Sequence, residues 1–191
     1  MLARDVFRRQ PVLTGERIRL EQLTAAVLEP NWQSLQQHDA RRLTGTRAEF
    51  SRDQVVEWLA SRAEQHDRAD WAVNRIADGG YVGEAVINDF DADDESASYR
   101  VALAGPHLYG QGYGTEITRL VVDYALDVVR LHRLSLEVYD FNPRAQRCYE
   151  KCGFTVEGRA RDALLWDGEW HDAILMAIVS GDPRPWHALP R

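Results

Sequence analysis

The segment Tyr109-Gly110-Gln111-Gly112-Tyr113-Gly114-Thr115 has the composition of an anion cradle. Glycines let successive backbone N–H groups turn inward, and a helix starting behind them adds a positive dipole. The ligand suited to such a loop is a phosphate or pyrophosphate. Two nucleotide-binding motifs do not fit. A P-loop needs a Lys after its last glycine, and none is present. A dinucleotide fingerprint needs glycine where Thr115 stands, and it follows a first strand rather than hairpins. Taken alone, the glycine cluster also suits a flexible turn.

The elements that must hold this loop are readable from periodicity. Gly15 to Leu23 alternates as a first strand. Thr24 suits an N-cap for a short helix interrupted at Pro30, and residues 31–46 read as a short helix and a loop. Ser51 with Gln54 three residues on forms a capping box, for a helix to about Gln65. Trp71 to Ile76, Tyr81 to Phe90 and Ser96 to Ala104 are three antiparallel strands, turned at Asp78-Gly79-Gly80 and at Asp91 to Glu95. After the loop, Ile117, Leu120, Val121, Tyr124, Ala125, Val128 and Val129 recur at helical spacing. Leu134, Leu136 and Val138 alternate as a strand. Asn142-Pro143 starts a helix with the stripe Ala145, Cys148, Tyr149 and Cys152, ended by Gly153. Thr155 to Trp166 and Trp170 to Val179 form a last hairpin around Asp167-Gly168. The whole is an α/β (α+β) domain over residues 1–180: a mixed, mostly antiparallel sheet with one parallel crossover. Residues 181–191 read as a loosely docked tail.

Composition narrows the function further. The chain has 191 residues, 45% hydrophobic and 28% charged, which suits one globular domain. Its net charge of −7 repels phosphate backbones, so a general nucleic-acid binder is not expected. No apolar run is long enough to span a bilayer, so no membrane partner is expected, and no signal peptide is visible. Cys148 and Cys152 cannot make a disulfide framework and suit one helical face as small hydrophobes. A cytoplasmic setting follows as the expectation. The six His are scattered, and no cluster has metal spacing.

The glycine loop is followed by Leu134-Ser135-Leu136-Glu137-Val138-Tyr139-Asp140-Phe141-Asn142-Pro143-Arg144-Ala145 and then Cys148-Tyr149-Glu150-Lys151-Cys152-Gly153-Phe154. In this order the motifs resemble the GCN5-related N-acetyltransferase (GNAT) superfamily, over about Trp71 to Ser180. In that family the loop reads (Arg or Gln)-x-x-Gly-x-(Gly or Ala), a later strand leads to Asn-x-x-Ala, and a Tyr precedes Glu-Lys-x-Gly-Phe. The end segment Glu157-Gly158-Arg159-x-Arg161, then Asp167-Gly168-x-x-x-Asp172, resembles the ribosomal-protein N-terminal acetyltransferase (RimJ/RimL-like) branch. One departure stands out: Tyr109 occupies the loop position that is usually Arg or Gln. Splayed central strands and helices on both faces of the sheet are the fold this resemblance implies.

The activity it implies is acetyl transfer from acetyl-CoA, as co-substrate, to an amine by direct attack in a ternary complex. Val101, Ala102 and Leu103 are then the strand positions along which the pantetheine arm pairs. Backbone amides of Gln111, Gly112, Tyr113, Gly114 and Thr115 bind the pyrophosphate. Asn142 belongs to the pantetheine side, and it also suits a plain helix N-cap. A backbone N–H near Leu103 is the expected oxyanion donor. Tyr149 matches the general acid, since a phenol of pKa about 10 protonates a thiolate without ionising at rest. Tyr149 also suits a core aromatic.

The base depends on the acceptor. An α-amine of pKa about 7.7–8.0 is roughly a tenth free at pH 7, whereas freeing a lysine-like amine of about 10.4 costs about 4.6 kcal/mol. Glu84 is the candidate base, with Tyr99 and water as competitors, and Glu84 also suits a solvent-facing strand position. Trp166, Trp170, His171 and Asp172 are candidates for the acceptor pocket, or else plain turn and strand residues. The acceptor is a protein N-terminus or a small cationic molecule, and the net negative charge favours a cation. A homodimer is a possible assembly, with Trp186 as an apolar anchor. Two other classes compete: a non-catalytic acyl-CoA-binding regulatory module on the same fold, and a nucleotide-binding domain of another kind.

Overall fold

Among the described residues eight strands form one sheet, with apolar and polar residues alternating most clearly along Ile18–Gln22 and Arg133–Tyr139. They are β1 (Leu13–Thr14), β2 (Ile18–Gln22), β3 (Ala69–Arg75), β4 (Tyr81–Asp91), β5 (Ser96–Leu103), β6 (Arg133–Tyr139), β7 (Thr155–Trp166) and β8 (Glu169–Val179). The computed structural model describes residues 2–188. The last three residues of the expected tail, 189–191, lie outside the described residues. Strand order is β1-β2-β3-β4-β5-β6-β8-β7. Every pairing is antiparallel except β5 with β6. The expected mixed sheet with one parallel crossover is therefore present, with β1 as an additional short edge strand.

Among the described residues five α-helices cover the sheet: α1 (Leu28–Leu35), α2 (His38–Thr44), α3 (Arg52–Ser61), α4 (Tyr113–Asp123) and α5 (Pro143–Lys151). The larger core lies on the face of Trp71, Ile87 and Tyr99, beneath Ile117 and Val121 of α4 and Tyr149 of α5. The opposite face buries Leu23 and Ala72 against Val55 and Leu59 of α3, with Leu28 and Trp32 of α1 packed alongside. Helices thus stand on both faces.

Local signals explain most of the helix ends. Both arms of the α3 capping box form: Gln54 N–H donates to Ser51 Oγ at 3.2 Å, and Ser51 N–H to Gln54 Oε1 at 2.8 Å. Pro30 does not interrupt its helix as expected. It sits in the first turn of α1, where a missing N–H breaks no intrahelical bond. Thr24 caps a preceding 3₁₀ turn, Ala25–Val27, instead. After α4 the chain continues as a π-helical stretch, Tyr124–Val129.

Gly83 sets the geometry at the end of β5. It pairs with Leu103 beside a bulge in β3–β4, at φ 151°. A Cβ there would lie 2.0 Å from the Ala102 carbonyl oxygen. Only glycine allows β4 to run this close to the strand that borders the cleft described below.

The C-terminal segment is held more firmly than a loose tail. The Arg184 guanidinium donates to Asp123 Oδ1 at 3.0 Å and to Asp127 Oδ2 at 2.6 Å. Trp186 Nε1 donates to Asp123 Oδ2 at 3.0 Å, and its half-buried ring packs on the larger core. Trp186, expected as an anchor for a second copy, is thus engaged within its own chain. Asp123, Asp127 and His187 also converge closely enough to suit a metal, a cluster that sequence spacing did not show. Arg184 is the cation these carboxylates hold.

Arg184 keeps the Asp127 carboxyl below the usual carboxylate range. A depressed native pKa contributes stability above the unfolded value of about 3.9, lost as pH falls through the native one. Arg184→Gln should therefore lower the melting temperature at pH 7, and the gap to the parent protein should narrow below about pH 4. A gap unchanged down to pH 3 contradicts this ion pair.

Candidate active site

The parallel strands β5 and β6 pair at only three positions, Ser96↔Arg133, Ala97↔Leu134 and Ser98↔Ser135. Beyond them β5 stays with β4 as far as Leu103, and β6 stays with β8 as far as Tyr139. The two strands part, and the gap opens into a cavity of about 830 Å³. Ala104 N–H donates to Val82 O on β4. Strand alternation then turns the N–H groups of Tyr99, Val101 and Leu103 toward the gap.

The glycine loop closes one end of this cavity. Gly110, Gly112, Gly114 and Thr115 line it, and Gly110 and Gly112 take φ values of 74° and 86°. Gly112 caps α4 without a side chain. The first intrahelical bond there is Glu116 N–H to Gly112 O at 3.1 Å. Among the described residues nothing accepts from the N–H groups of Tyr113, Gly114 or Thr115. These are free donors at a positive helix end, the arrangement an anion requires. Of the loop residues expected at the site, Gln111 and Tyr113 point away. Tyr113 is buried in the core, and Gln111 Nε2 bonds His107 O. Their expected part was through the backbone.

Arg17 braces the loop from behind, a role sequence reading missed. Its guanidinium donates to Gln111 O at 2.9 Å and to Glu116 Oε2 at 2.9 Å, and it lies 4.9 Å from the Tyr113 ring centroid. Glu116, an acidic residue in the first turn of α4, is thus the partner of Arg17.

Asn142, Ala145, Cys148 and Tyr149 of the α5 motif all line the same cavity. Asn142 Oδ1 accepts from Ala145 N–H at 3.2 Å, so its capping role is realised. Its NH₂ group donates to no described residue. Tyr149 is 8% exposed, and burial pushes its phenol above the usual range, so Oη keeps its proton at neutral pH. No described residue hydrogen-bonds that hydroxyl. Cys148, expected as a buried hydrophobe, borders the cavity with Sγ 3.3 Å from Thr115 Oγ1. The neighbouring Cys152 thiol, and after it Thr115, draw the Cys148 thiol below its usual range.

The cavity's other side is polar. Arg100 and Asn88 come from β5 and β4, while Arg133 and Glu137 come from β6. These belong to the sheet face opposite Tyr149, so the cavity is open to both faces.

Val101, Ala102, Leu103 and Tyr99 line the cavity. The Tyr99 hydroxyl, however, is bonded to Thr118 Oγ1 at 3.1 Å, and burial raises its pKa well above the usual phenol value. Tyr99 is therefore a fixed part of the wall rather than a base. Glu84 is not among the lining residues. Its carboxylate is bonded by Asn31 Nδ2 at 3.3 Å and lies 3.8 Å from Arg100, which does line the cavity. Trp166, Trp170, His171 and Asp172 stand at the β7–β8 turn, off the cavity. Trp166 packs near His38, and Trp170 is 61% exposed. His171 Nδ1 is 3.4 Å from Asp140, and Asp172 pairs with Arg159 at 3.2 Å.

The profile of the acetyltransferase (GNAT) domain matches residues 17–155. The chain belongs to this family. Among curated relatives, spermidine N(1)-acetyltransferase of Vibrio cholerae is 28% identical over 115 residues, 60% of this chain and 66% of that protein. The [ribosomal protein uS5]-alanine N-acetyltransferase of Escherichia coli is 31% identical over 104 residues, 54% of each chain. The probable N-acetyltransferase YjcK of Bacillus subtilis is 42% identical over 73 residues, 38% of this chain and 40% of that one. These three matches thus span less than two thirds of each relative's own length. A solved structure of the Vibrio cholerae spermidine N-acetyltransferase, in complex with CoA and spermine, superposes with a TM-score of 0.80 at 20% identity. It covers 85% of this chain and 95% of the other, and at that identity it shows the shared fold.

Burial raises the Glu84 carboxyl above its usual pKa despite Arg100 and Asn31. The native state therefore keeps this proton to higher pH than the unfolded chain, and stability falls as pH rises from about 4 toward the native value. Glu84→Gln should make the protein more resistant to urea at pH 7 and flatten the dependence between pH 4 and 7. Superimposable curves for parent and variant contradict the buried charge.

Proposed function

We propose that this chain is an N-acetyltransferase that moves an acetyl group from acetyl-CoA to a primary amine by direct attack. The observation that carries this reading is a convergence in one gap: free helix-end amides, an unpaired strand edge and an unbonded phenol all line the same cavity. These residues fit the cofactor by donor chemistry, since they offer backbone N–H groups where an anion needs them.

Acetyl-CoA, when bound, supplies a thioester carbonyl open to attack by an amine. The chain's residues do the rest. Tyr113, Gly114 and Thr115 amides hold the pyrophosphate, and the free NH₂ of Asn142 donates toward the pantetheine side. The Leu103 N–H, turned to the gap, meets negative charge as it develops on oxygen. Tyr149 holds a proton on Oη for the departing sulfur. Glu84 takes up the amine's proton through solvent beside Arg100, its raised pKa making it a better base than an exposed carboxylate.

The acceptor enters from the face of Arg100 and Glu137. Asp89, Glu137 and Glu157 bring carboxylates to that side, which favours an ammonium group. Spermidine and a ribosomal-protein alanine, named for two relatives, are both primary amines. We take the acceptor to be an amine of that breadth, a peptide N-terminus or a small cation. No helix among the described residues is long and apolar enough to cross a membrane. Two free thiols accord with a cytoplasmic setting. The non-catalytic acyl-CoA-binding alternative has no observation in its favour.

Thiol release from acetyl-CoA should appear with spermidine, with an alanine-start peptide, or with both. Tyr149→Phe should lower kcat about 100-fold and leave KM for acetyl-CoA within about threefold. Coenzyme A binding without turnover on either amine would instead identify a non-catalytic module.

A further inference from the structure

The loop position that resembling proteins fill with Arg or Gln is Tyr109 here, which leaves the loop without a polar side chain at that point. The structure puts a cation on top of it. The Arg144 guanidinium lies 4.1 Å from the Tyr109 ring centroid, within the range of a cation–π contact. Both residues line the main cavity, next to Gly110 and Gly112. Arg144 is two residues after the Asn142 cap, so α5 itself brings it to the cavity's rim.

Among the described residues, Arg144 differs from the ion-paired arginines in keeping its charge free of a carboxylate while it stands beside the glycine loop. Arg17, Arg68, Arg75, Arg133 and Arg184 each hold a carboxylate within 3.0 Å. Among the described residues Arg144 has no carboxylate within 4 Å. Stacking on a ring restrains the guanidinium plane and leaves its N–H edges free to donate. A planar, oriented and unpaired guanidinium beside free helix-end amides is a phosphate-binding arrangement.

We propose that Arg144 grips the pyrophosphate of coenzyme A, and that Tyr109 is the positioning residue that orients it. The cation expected on the loop has moved to α5, and the loop supplies a platform in its place. This inference rests on the reading of the cavity as a coenzyme A site.

Calorimetric binding separates the two. Coenzyme A, and dephospho-coenzyme A lacking the 3′-phosphate, are titrated into the full chain and its variants. The parent protein should bind both; no binding of either overturns the parent reading and this inference with it. Arg144→Ala should weaken both ligands about tenfold, equivalent to about 1.4 kcal/mol. Tyr109→Phe should bind like the parent protein, and Tyr109→Leu should weaken both ligands. In the Arg144→Ala background Tyr109→Leu should add nothing, whereas Tyr109→Arg should restore most of the affinity. Arg144 is exposed, so its removal should leave the melting temperature unchanged. Parent-like binding by Arg144→Ala overturns the proposal. So does a loss confined to the ligand with the 3′-phosphate, which would move Arg144 to a different group. Equal effects of Tyr109→Leu with and without Arg144 would remove Tyr109 from its positioning role.

Discussion

The parting of β5 from β6 after three paired residues is the constraint on which the rest of this structure depends. Two parallel strands that stayed together would spend their N–H and C=O groups on each other. Here, along the parted stretch, each stays paired on its outer side, β5 to β4 and β6 to β8, and the inner edges face a cavity. Unpaired backbone groups are costly where they are dry, so they imply either water or a ligand with matching groups. The surrounding elements maintain the gap. Gly83 lets β4 follow β5 closely at its end, α4 starts at one mouth, and α5 carries Tyr149 and Cys148 against the cavity.

Charge is arranged differently at the site than over the whole chain. The net charge is −7, yet Arg100, Arg133, Arg144, Arg147 and Lys151 all border the cavity. Arg100 and Arg133 face Glu84 and Glu157 respectively. Among the described residues Arg144, Arg147 and Lys151 of α5 hold no carboxylate. An anionic ligand therefore meets unspent cations and helix-end amides on the α5 side, and the carboxylates stand on the other. The global excess of acid does not oppose an anionic cofactor, because local geometry decides what each mouth of the cavity attracts.

Much of this was legible in sequence because it is local. The Asn142 cap, the Ala145–Cys148–Tyr149–Cys152 stripe and the Ser51 capping box involve neighbours three or four residues apart, and each formed as read. The glycine loop was legible for the same reason. What sequence reading missed is set by strand register and helix docking. Arg17 is 94 residues from the Gln111 carbonyl it bonds, and no local pattern announces that contact. Arg144 reaches Tyr109 only because α5 packs beside the loop. Glu84 alternates like a surface residue, yet α1 covers it and supplies Asn31. Trp166, Trp170, His171 and Asp172 are candidates whose position depends on the length of β7 and β8, which carries them past the cavity.

We place the proposed coenzyme A site in the gap between β5 and β6, at backbone N–H groups that no described residue satisfies. Amide hydrogen exchange with and without acetyl-CoA tests it most directly, since it reads those groups one peptide segment at a time. Binding should add protection at Tyr113 to Thr115 and along Tyr99 to Leu103, with the β7–β8 turn unchanged. Binding that leaves both segments exchanging at their original rates would contradict it.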